Sequence, residues 1–301
     1  MKDYMREIVD KFKEIHPLHH KYLKKHLESM DADFRNLANE YLENYLSVLK
    51  DLGITFTAAV EAYNNMIIML LEEQMYFVEF GEYRYSTFKE ANELVYNNPD
   101  FMRDYMIGVA LSQFLWKNHS RIFRFFKDNI SKVSGERYLE IGPGHGLFFM
   151  EAIRTNNFKH HCGVDVSKTS INFTDSLLSK CMVNSESYEL ILKDIMEFET
   201  DKKYDFISFG EVIEHLERPE EFLMKIRSLL SDNGKVYIST CANGPAIDHI
   251  YLFNSVEEIR ALLHKCGFKI ESEIAVSVDN IPEELWIEKK ANITYATIVS
   301  R

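Results

Sequence analysis

From Gly135 onward the chain alternates short β-forming runs with helix-like stretches, and this alternation restricts the fold more than any other feature. The runs are "RYLEIG", "HHCGVDV", "YELILKD", "YDFISFG" and "GKVYIST". Stretches such as "SKTSINFTDSLLSK" and "PEEFLMKIRSLLS" lie between them. Such a β-α-β alternation predicts a parallel sheet covered by helices on both faces. Two later runs, "FKIESEIAV" and "NITYATIVS", have one short segment between them and are expected to pair at one edge of the sheet.

Residues 1–133 follow a different pattern. Proline occurs there only at Pro17 and Pro99, and glycine only at Gly53, Gly81 and Gly108. In "TFTAAVEAYNNMIIMLLEEQMYFVEFG" the residues Phe56, Val60, Tyr63, Ile67, Leu70 and Leu71 recur at helical spacing. Thr55 or Thr57 suits its N-terminal cap, and Gly81 suits its end. "NPDFMRDYMIGVALSQFLWKNHSRIFRFFKDNI" continues in the same style as two helices. The expected organisation is a helical unit over 1–133, acting as a cap or a dimerisation element, followed by a sheet domain over 134–301. No Gly/Ser-rich linker divides them, so direct packing is expected. The segment Trp116–Phe126 is the part of the helical unit expected to reach a pocket of the sheet domain.

Composition narrows the partners. The 301 residues carry a formal net charge of −12 and are 46% hydrophobic. An acidic surface disfavours long nucleic acid and anionic membrane as partners. The longest apolar run, "MIIMLL", is too short to span a bilayer. Cys162, Cys181, Cys241 and Cys266 are widely spaced, without a C-x-x-C pair, and read as reduced thiols. The charged, amphipathic start lacks a signal-type apolar stretch. These features predict a soluble cytoplasmic protein.

Chemistry concentrates behind the first β-run. In "RYLEIGPGHGLFFMEAI", Gly142, Gly144 and Gly146 form a G-x-G-x-G turn, with Glu140 just before it and a helix expected from about Leu147. Ligands of open α/β sheets bind at the carboxyl ends of the strands. Glycines there permit positive φ and close backbone approach, and the helix N-terminus offers free N–H groups. Nicotinamide-binding domains use a different spacing, G-x-G-x-x-G. Glu140 would repel a pyrophosphate and attract an ammonium group. Asp165 ends the second run and suits a ribose diol.

The ordered set "YLEIGPGHG", "GVDVS", "LKDI" and "YDFISFGEVIEHL" resembles the class I S-adenosylmethionine-dependent methyltransferases over about residues 134–301. The resemblance implies a Rossmann-like α/β fold with a seven-stranded sheet whose last strand is antiparallel. It implies S-adenosyl-L-methionine as cofactor. In its terms Glu140 holds the methionine ammonium, and Gly142, Gly144 and Gly146 line the cofactor. Asp165 and the adjacent Val166 meet the ribose, Asp194 and Ile195 meet the adenine, and Gly210 and Glu211 flank the methionine end. It further implies methyl transfer to an O or N atom of a small-molecule acceptor, as in specialised metabolism, with a helical cap that closes the pocket or forms a homodimer.

The acceptor side rests on "GEVIEHLERPEEF" and "STCANGPAIDHIYLF". Glu211, Glu214 and His215 are spaced i, i+3, i+4, which one helical turn would place on one face. His249 follows the fifth run and is expected to approach His215, because neighbouring parallel strands deliver their loops to the same edge. His215 and His249 are the candidate bases for a hydroxyl or amine acceptor, and His119 in "LWKNHSRIF" is a third. A rival reading makes Glu211, Glu214, His215 and His249 ligands of a divalent cation, since E-x-x-E-H is similar to the metal motif of small-RNA 2′-O-methyltransferases and of ubiquinone-pathway O-methyltransferases. A non-catalytic cofactor-binding protein is the remaining alternative. His16, His19, His20 and His26 read as a solvated face.

Overall fold

The computed structural model describes residues 2–91, 95, 98–181 and 188–301. The chain opens with helices α1 (Tyr4–Ile15), α2 (Pro17–Ser29), α3 (Ala32–Asp51) and α4 (Phe56–Phe80). Local chemistry sets their ends. Asp3 and Asp31 cap α1 and α3 by accepting from the N–H groups of Arg6 and Phe34. Of the two threonines open for α4, Thr55 accepts from the Ala58 N–H, and Gly81 stops the helix at φ +74°. After the short α5 (Phe88–Ala91) come α6 (Pro99–Leu115) and α7 (Lys117–Ile130). The break between them is Trp116, whose extended backbone (φ −108°, ψ 135°) turns the chain.

The second part runs β1 (Gly135–Ile141), α8 (Leu147–Arg154), β2 (Phe158–Asp165), α9 (Lys168–Cys181), β3 (Tyr188–Leu192) and β4 (Tyr204–Gly210). It continues through α10 (Pro219–Leu229), β5 (Leu230–Ala242), α11 (Val256–Lys265), β6 (Lys269–Ser277) and β7 (Ile293–Ser300). The seven strands lie in the order β3-β2-β1-β4-β5-β7-β6. The first five are parallel, and β7 inserts antiparallel between β5 and β6. The expected late pair is therefore present, with β6 as the outer member. The strand order reverses between β1 and β4, where an open α/β sheet leaves a crevice at its carboxyl edge.

Strand alternation sends Tyr138, Phe206 and Tyr237 to one face and Leu139, Ile207 and Val236 to the other. The first face shares a single buried cluster with the helical part, including Phe12, Tyr41, Phe114 and Phe126. Phe126 meets Tyr237 at 4.9 Å and Phe206 at 6.3 Å between ring centroids. This shared core explains why the chain runs from α7 into β1 without a linker: the sheet would otherwise expose an aromatic face. Among the described residues no single helix is long and apolar enough to cross a membrane.

Candidate functional site

Beyond β1 the backbone turns through Gly142, Gly144 and Gly146 with φ of +71°, +51° and +77°. A side chain at Gly142 would strike Val212 Cγ2 at 2.8 Å, whereas at Gly144 the nearest atom would be the Gly142 carbonyl at 3.8 Å. The Gly144 face is therefore open to a ligand. Asp165, at the end of β2, braces this turn: it accepts from the Gly144 N–H (3.3 Å) and from the Ser167 N–H (2.8 Å). Tyr138 donates to Glu140 beneath the turn. Asp194 caps a short 3-10 turn, Ile195–Glu197, by accepting from the Met196 N–H (2.8 Å). Ile195 is buried below it, while Val166 presents an exposed apolar surface beside Asp165.

A cavity of about 1060 Å³ runs along this edge and continues under the helical part. Its sheet-side wall includes Glu140, Gly142, Gly144, Asp165, Val166, Asp194, Ile195, Gly210, Glu211, His215 and His249. Gly146 lies outside that wall; its role is the left-handed start of α8, packed on Thr174. Glu214 also lies outside it, fully buried. The opposite wall comes mainly from α4 and α6, through Met66, Ile67, Leu70, Met102, Met106 and Val109. From the segment Trp116–Phe126, residues Trp116, Asn118, His119 and Ile122 reach the cavity. Phe123 and Phe126 instead fill the core.

The E-x-x-E-H stretch does not form the helical turn its spacing suggests. Glu211 takes a left-handed backbone (φ +50°), because its N–H is tied to the Ser239 carbonyl of β5 (2.9 Å). Only Ile213–His215 form a 3-10 turn. The side chains therefore do not share one helical face, although Glu211 stays close to both Glu214 and His215. Glu211 borders the cavity. Glu214 turns inward, accepts from Thr240 Oγ1 (2.8 Å), and its carbonyl receives the N–H groups of Ile250 and Tyr251. His215 faces the cavity, with Nδ1 2.9 Å from the Asp248 carbonyl.

His249 does approach His215, at 4.9 Å between ring centroids. Its Nδ1 lies 2.6 Å from the Gly244 carbonyl and its Nε2 3.9 Å from Glu214 Oε1. The four residues proposed together as metal ligands are not gathered at one point. The compact groups are Glu214–Cys241–His249 and His215–Asp248–His249, and Glu211 belongs to neither. Cys241 reaches His249 only through the fold, whereas Asp248 is its chain neighbour and was not read as a ligand from the sequence.

Two further corrections concern histidines. His19 lines the cavity and bonds the Tyr63 hydroxyl (2.9 Å), and His26 is buried against the Phe114 carbonyl and Ser120 (both 3.2 Å). Neither belongs to a solvated face. Tyr105 of α6, missed in the sequence, donates to Asp248 Oδ1 (3.3 Å) from across the cavity. A signal for the α4 wall existed: "MIIMLL" is apolar on more than one helical face, enough for both a core and a cavity.

Burial dominates the electrostatics. It lifts the carboxyl groups of Glu140 and Glu211 to about 8, Glu214 to about 7 and Asp165 to about 6. Glu211 is open to the cavity yet deep within the molecule, and the nearby Glu214 raises it further. The same burial depresses His119, His145 and His249 to about 4, so these rings are neutral at pH 7.

A methyltransferase-domain family profile matches residues 117–273, more than half of the chain. The chain belongs to the methyltransferase-domain family. It is similar to a ubiquinone biosynthesis O-methyltransferase of Rickettsia bellii, with 26% identity over 185 residues, covering 55% of this chain and 75% of the relative. It is also similar to a pavine N-methyltransferase of Thalictrum flavum, 27% identical over 105 residues, 35% of this chain and 29% of that one. Among solved structures, the mitomycin 7-O-methyltransferase aligns with TM-score 0.52 and 12% identity over 76% of this chain and 67% of its own, a likeness of fold.

This methyltransferase uses S-adenosylmethionine, and its sheet-side wall fits that molecule. The open Gly144 face admits a close ligand, and the carboxyl groups of Glu140, Asp165, Asp194 and Glu211 line the same wall, the kind of acceptors an ammonium, a diol and an exocyclic amine require. The fit has a consequence for protons. A cationic cofactor stabilises ionised carboxylates, so Glu140, protonated in part at pH 7, and Asp165 should lose protons when it binds. Affinity should then rise with pH up to about 8, the value for Glu140. Calorimetry at pH 7 in buffers of different ionisation enthalpy is expected to show net proton release. A buffer-independent binding enthalpy would count against this charge linkage.

Proposed function

We propose that the enzyme methylates a hydroxyl group of a small, neutral, largely apolar molecule held between the sheet edge and helices α4 and α6. The observation that carries this reading is the composition of this continuous cavity. Its sheet side is acidic and glycine-rich, suited to the cofactor, and its cap side joins methionine and aliphatic residues to uncharged polar ones such as Gln113, Asn118 and His119. Among the described residues, the lysine and arginine side chains on its wall are Lys193 and Arg218, and the guanidinium of Arg218 is paired with Glu221 at 2.9 Å. A carboxylated or phosphorylated acceptor would find little to neutralise it.

Within this reading Glu140 meets the cofactor's ammonium, Asp165 and Val166 its ribose, and Asp194 and Ile195 its adenine. The glycine turn lines it, and Gly210 and Glu211 flank its methionine end. The bound cofactor supplies an electrophilic methyl group. The protein aligns the acceptor and excludes water. His215 serves as the base. The Asp248 carbonyl can only accept, so Nδ1 of His215 carries the hydrogen and its Nε2 lone pair is free for the acceptor's proton. His249 is the weaker candidate, since both its nitrogens face protein groups. The preference for O over N rests on the broader coverage of the O-methyltransferase relative. A reducing compartment such as the cytoplasm suits the four unpaired cysteines.

A second reading has one specific observation in its favour. His249 donates from Nδ1 to the Gly244 carbonyl, so its Nε2 is a lone pair, and it faces the buried, unpartnered Glu214 Oε1. Two acceptors in such opposition suit a cation between them, and the outer bonds to Gly244 and Thr240 resemble those that orient metal ligands. The test of the main reading is formation of S-adenosylhomocysteine with a panel of neutral phenols, phenolic acids and alkylamines. Turnover of phenols above the other two classes is expected. Turnover confined to amines or acids would refute it.

A further inference from the structure

The cap contributes a histidine that neither the cofactor site nor the sheet-side base accounts for. His119 sits on the first turn of α7 and lines the cavity. Its Nδ1 is 2.8 Å from Ser112 Oγ, and Ser112 Oγ is 2.7 Å from the Val109 carbonyl. A carbonyl only accepts, so the Ser112 hydroxyl donates in its contact with Val109; with that hydrogen so placed, Ser112 accepts from His119, whose own hydrogen is then on Nδ1. Burial keeps the ring neutral. Nε2 is therefore a lone pair, and among the described residues no protein group bonds it.

The other cavity histidines differ. His145 accepts from the Leu147 N–H at Nδ1 (3.2 Å), so its neutral ring presents N–H at Nε2. His19 is engaged at Nε2 by Tyr63, and His249 faces Glu214. His119 and His215 each combine a donated Nδ1–H with an unbonded Nε2; His249 does so too, but its Nε2 faces the Glu214 carboxyl oxygen at 3.9 Å. His119 and His215 come from opposite walls, one from the cap and one from the loop after β4.

We propose that His119 is a specificity-determining residue that accepts a hydrogen bond from a second donor group on the methyl acceptor. Ser112 is its positioning residue. The enzyme then selects acceptors with two hydroxyl or amino groups, one presented to His215 and the other to His119. This rests on the reading of the cavity as a site for neutral hydroxylated acceptors. A molecule with one donor leaves one buried lone pair unmatched, the kind of mismatch on which polar specificity depends.

The test uses enzyme saturated with S-adenosylhomocysteine and four probes: phenol, catechol, resorcinol and hydroquinone. At least one diol is expected to bind about tenfold more tightly than phenol, a statistical factor of two multiplied by about fivefold for one neutral hydrogen bond. In His119→Phe that advantage should fall to about twofold. Retention of the full advantage in His119→Phe, or no diol advantage in the native enzyme, would overturn the proposal. A ¹⁵N-histidine NMR measurement on the same complex judges it independently of any probe. His119 is expected as the Nδ1–H tautomer near pH 7, and Ser112→Ala should mix the two tautomers. An Nε2–H or doubly protonated His119 in the native enzyme overturns the proposal even if no phenol binds. Failure of all four probes with the Nδ1–H tautomer intact would instead remove the phenol reading of the cavity and sustain His119 as an acceptor for a different donor-bearing ligand.

Discussion

His215→Ala is expected to lower methyl transfer by about 10²–10⁴-fold through loss of the base. His249→Ala should cost less, because Nδ1 of His249 is committed to the Gly244 carbonyl and its Nε2 faces the buried Glu214 carboxyl. A base role also predicts that the variant retains its affinity for S-adenosylhomocysteine and that its rate recovers in part at high pH, where the acceptor hydroxyl ionises without help. Chelation is expected to leave the native enzyme active. The reason is geometric: the liganding side chains divide into two overlapping groups around His249, with Asp248 already engaged by Tyr105 and Glu214 by Thr240. Activity assays after chelation, followed by add-back of Mg²⁺, Mn²⁺, Fe²⁺ and Zn²⁺, check this. Loss of activity that one metal reverses would replace the base mechanism by one in which a cation between Glu214 and His249 lowers the acceptor's pKa.

Asp165→Ala should weaken binding of S-adenosylhomocysteine by about 1–3 kcal/mol, or roughly 5–150-fold. Two effects combine. The carboxylate that would accept from the ribose is lost, and so is the brace on the Gly144 and Ser167 N–H groups that holds the glycine turn open. Asp165→Asn keeps one acceptor oxygen and should fall between the two. Folding should survive, since the burial that raises this carboxyl to about 6 makes its ionised form costly in the empty site. Titration calorimetry with a thermal melt on each variant measures both properties. An unchanged dissociation constant for Asp165→Ala would remove this residue from the site.

Much of the frame was legible in the sequence, because it depends on local and periodic physics. The alternation of β-runs with amphipathic helices from Gly135 required a largely parallel sheet. The turn at Gly142, Gly144 and Gly146 could be placed at a strand-to-helix junction because positive φ is inexpensive for glycine alone. Helix ends at Thr55 and Gly81 followed from capping chemistry within a few residues. The approach of His249 to His215 was also foreseeable, since successive parallel strands deliver their loops to one edge.

What needed the tertiary structure was the direction of side chains whose partners are distant in the chain. The i, i+3, i+4 spacing of Glu211, Glu214 and His215 promised one helical face, but a hydrogen bond to Ser239 holds Glu211 left-handed, so Glu214 turns inward while Glu211 and His215 border the cavity. His26 reads as a surface residue by its lysine-rich neighbours, yet it is buried against Ser120, 94 positions away. His119 acquires its tautomer from Ser112, one helix earlier, across the break at Trp116. The cavity wall on α4 and α6 comes from two helices packed on one another, held over the sheet by α7, whose Phe126 covers the aromatic face at Phe206 and Tyr237. Periodicity determines which residues share a face of one element; only packing between elements determines what that face meets.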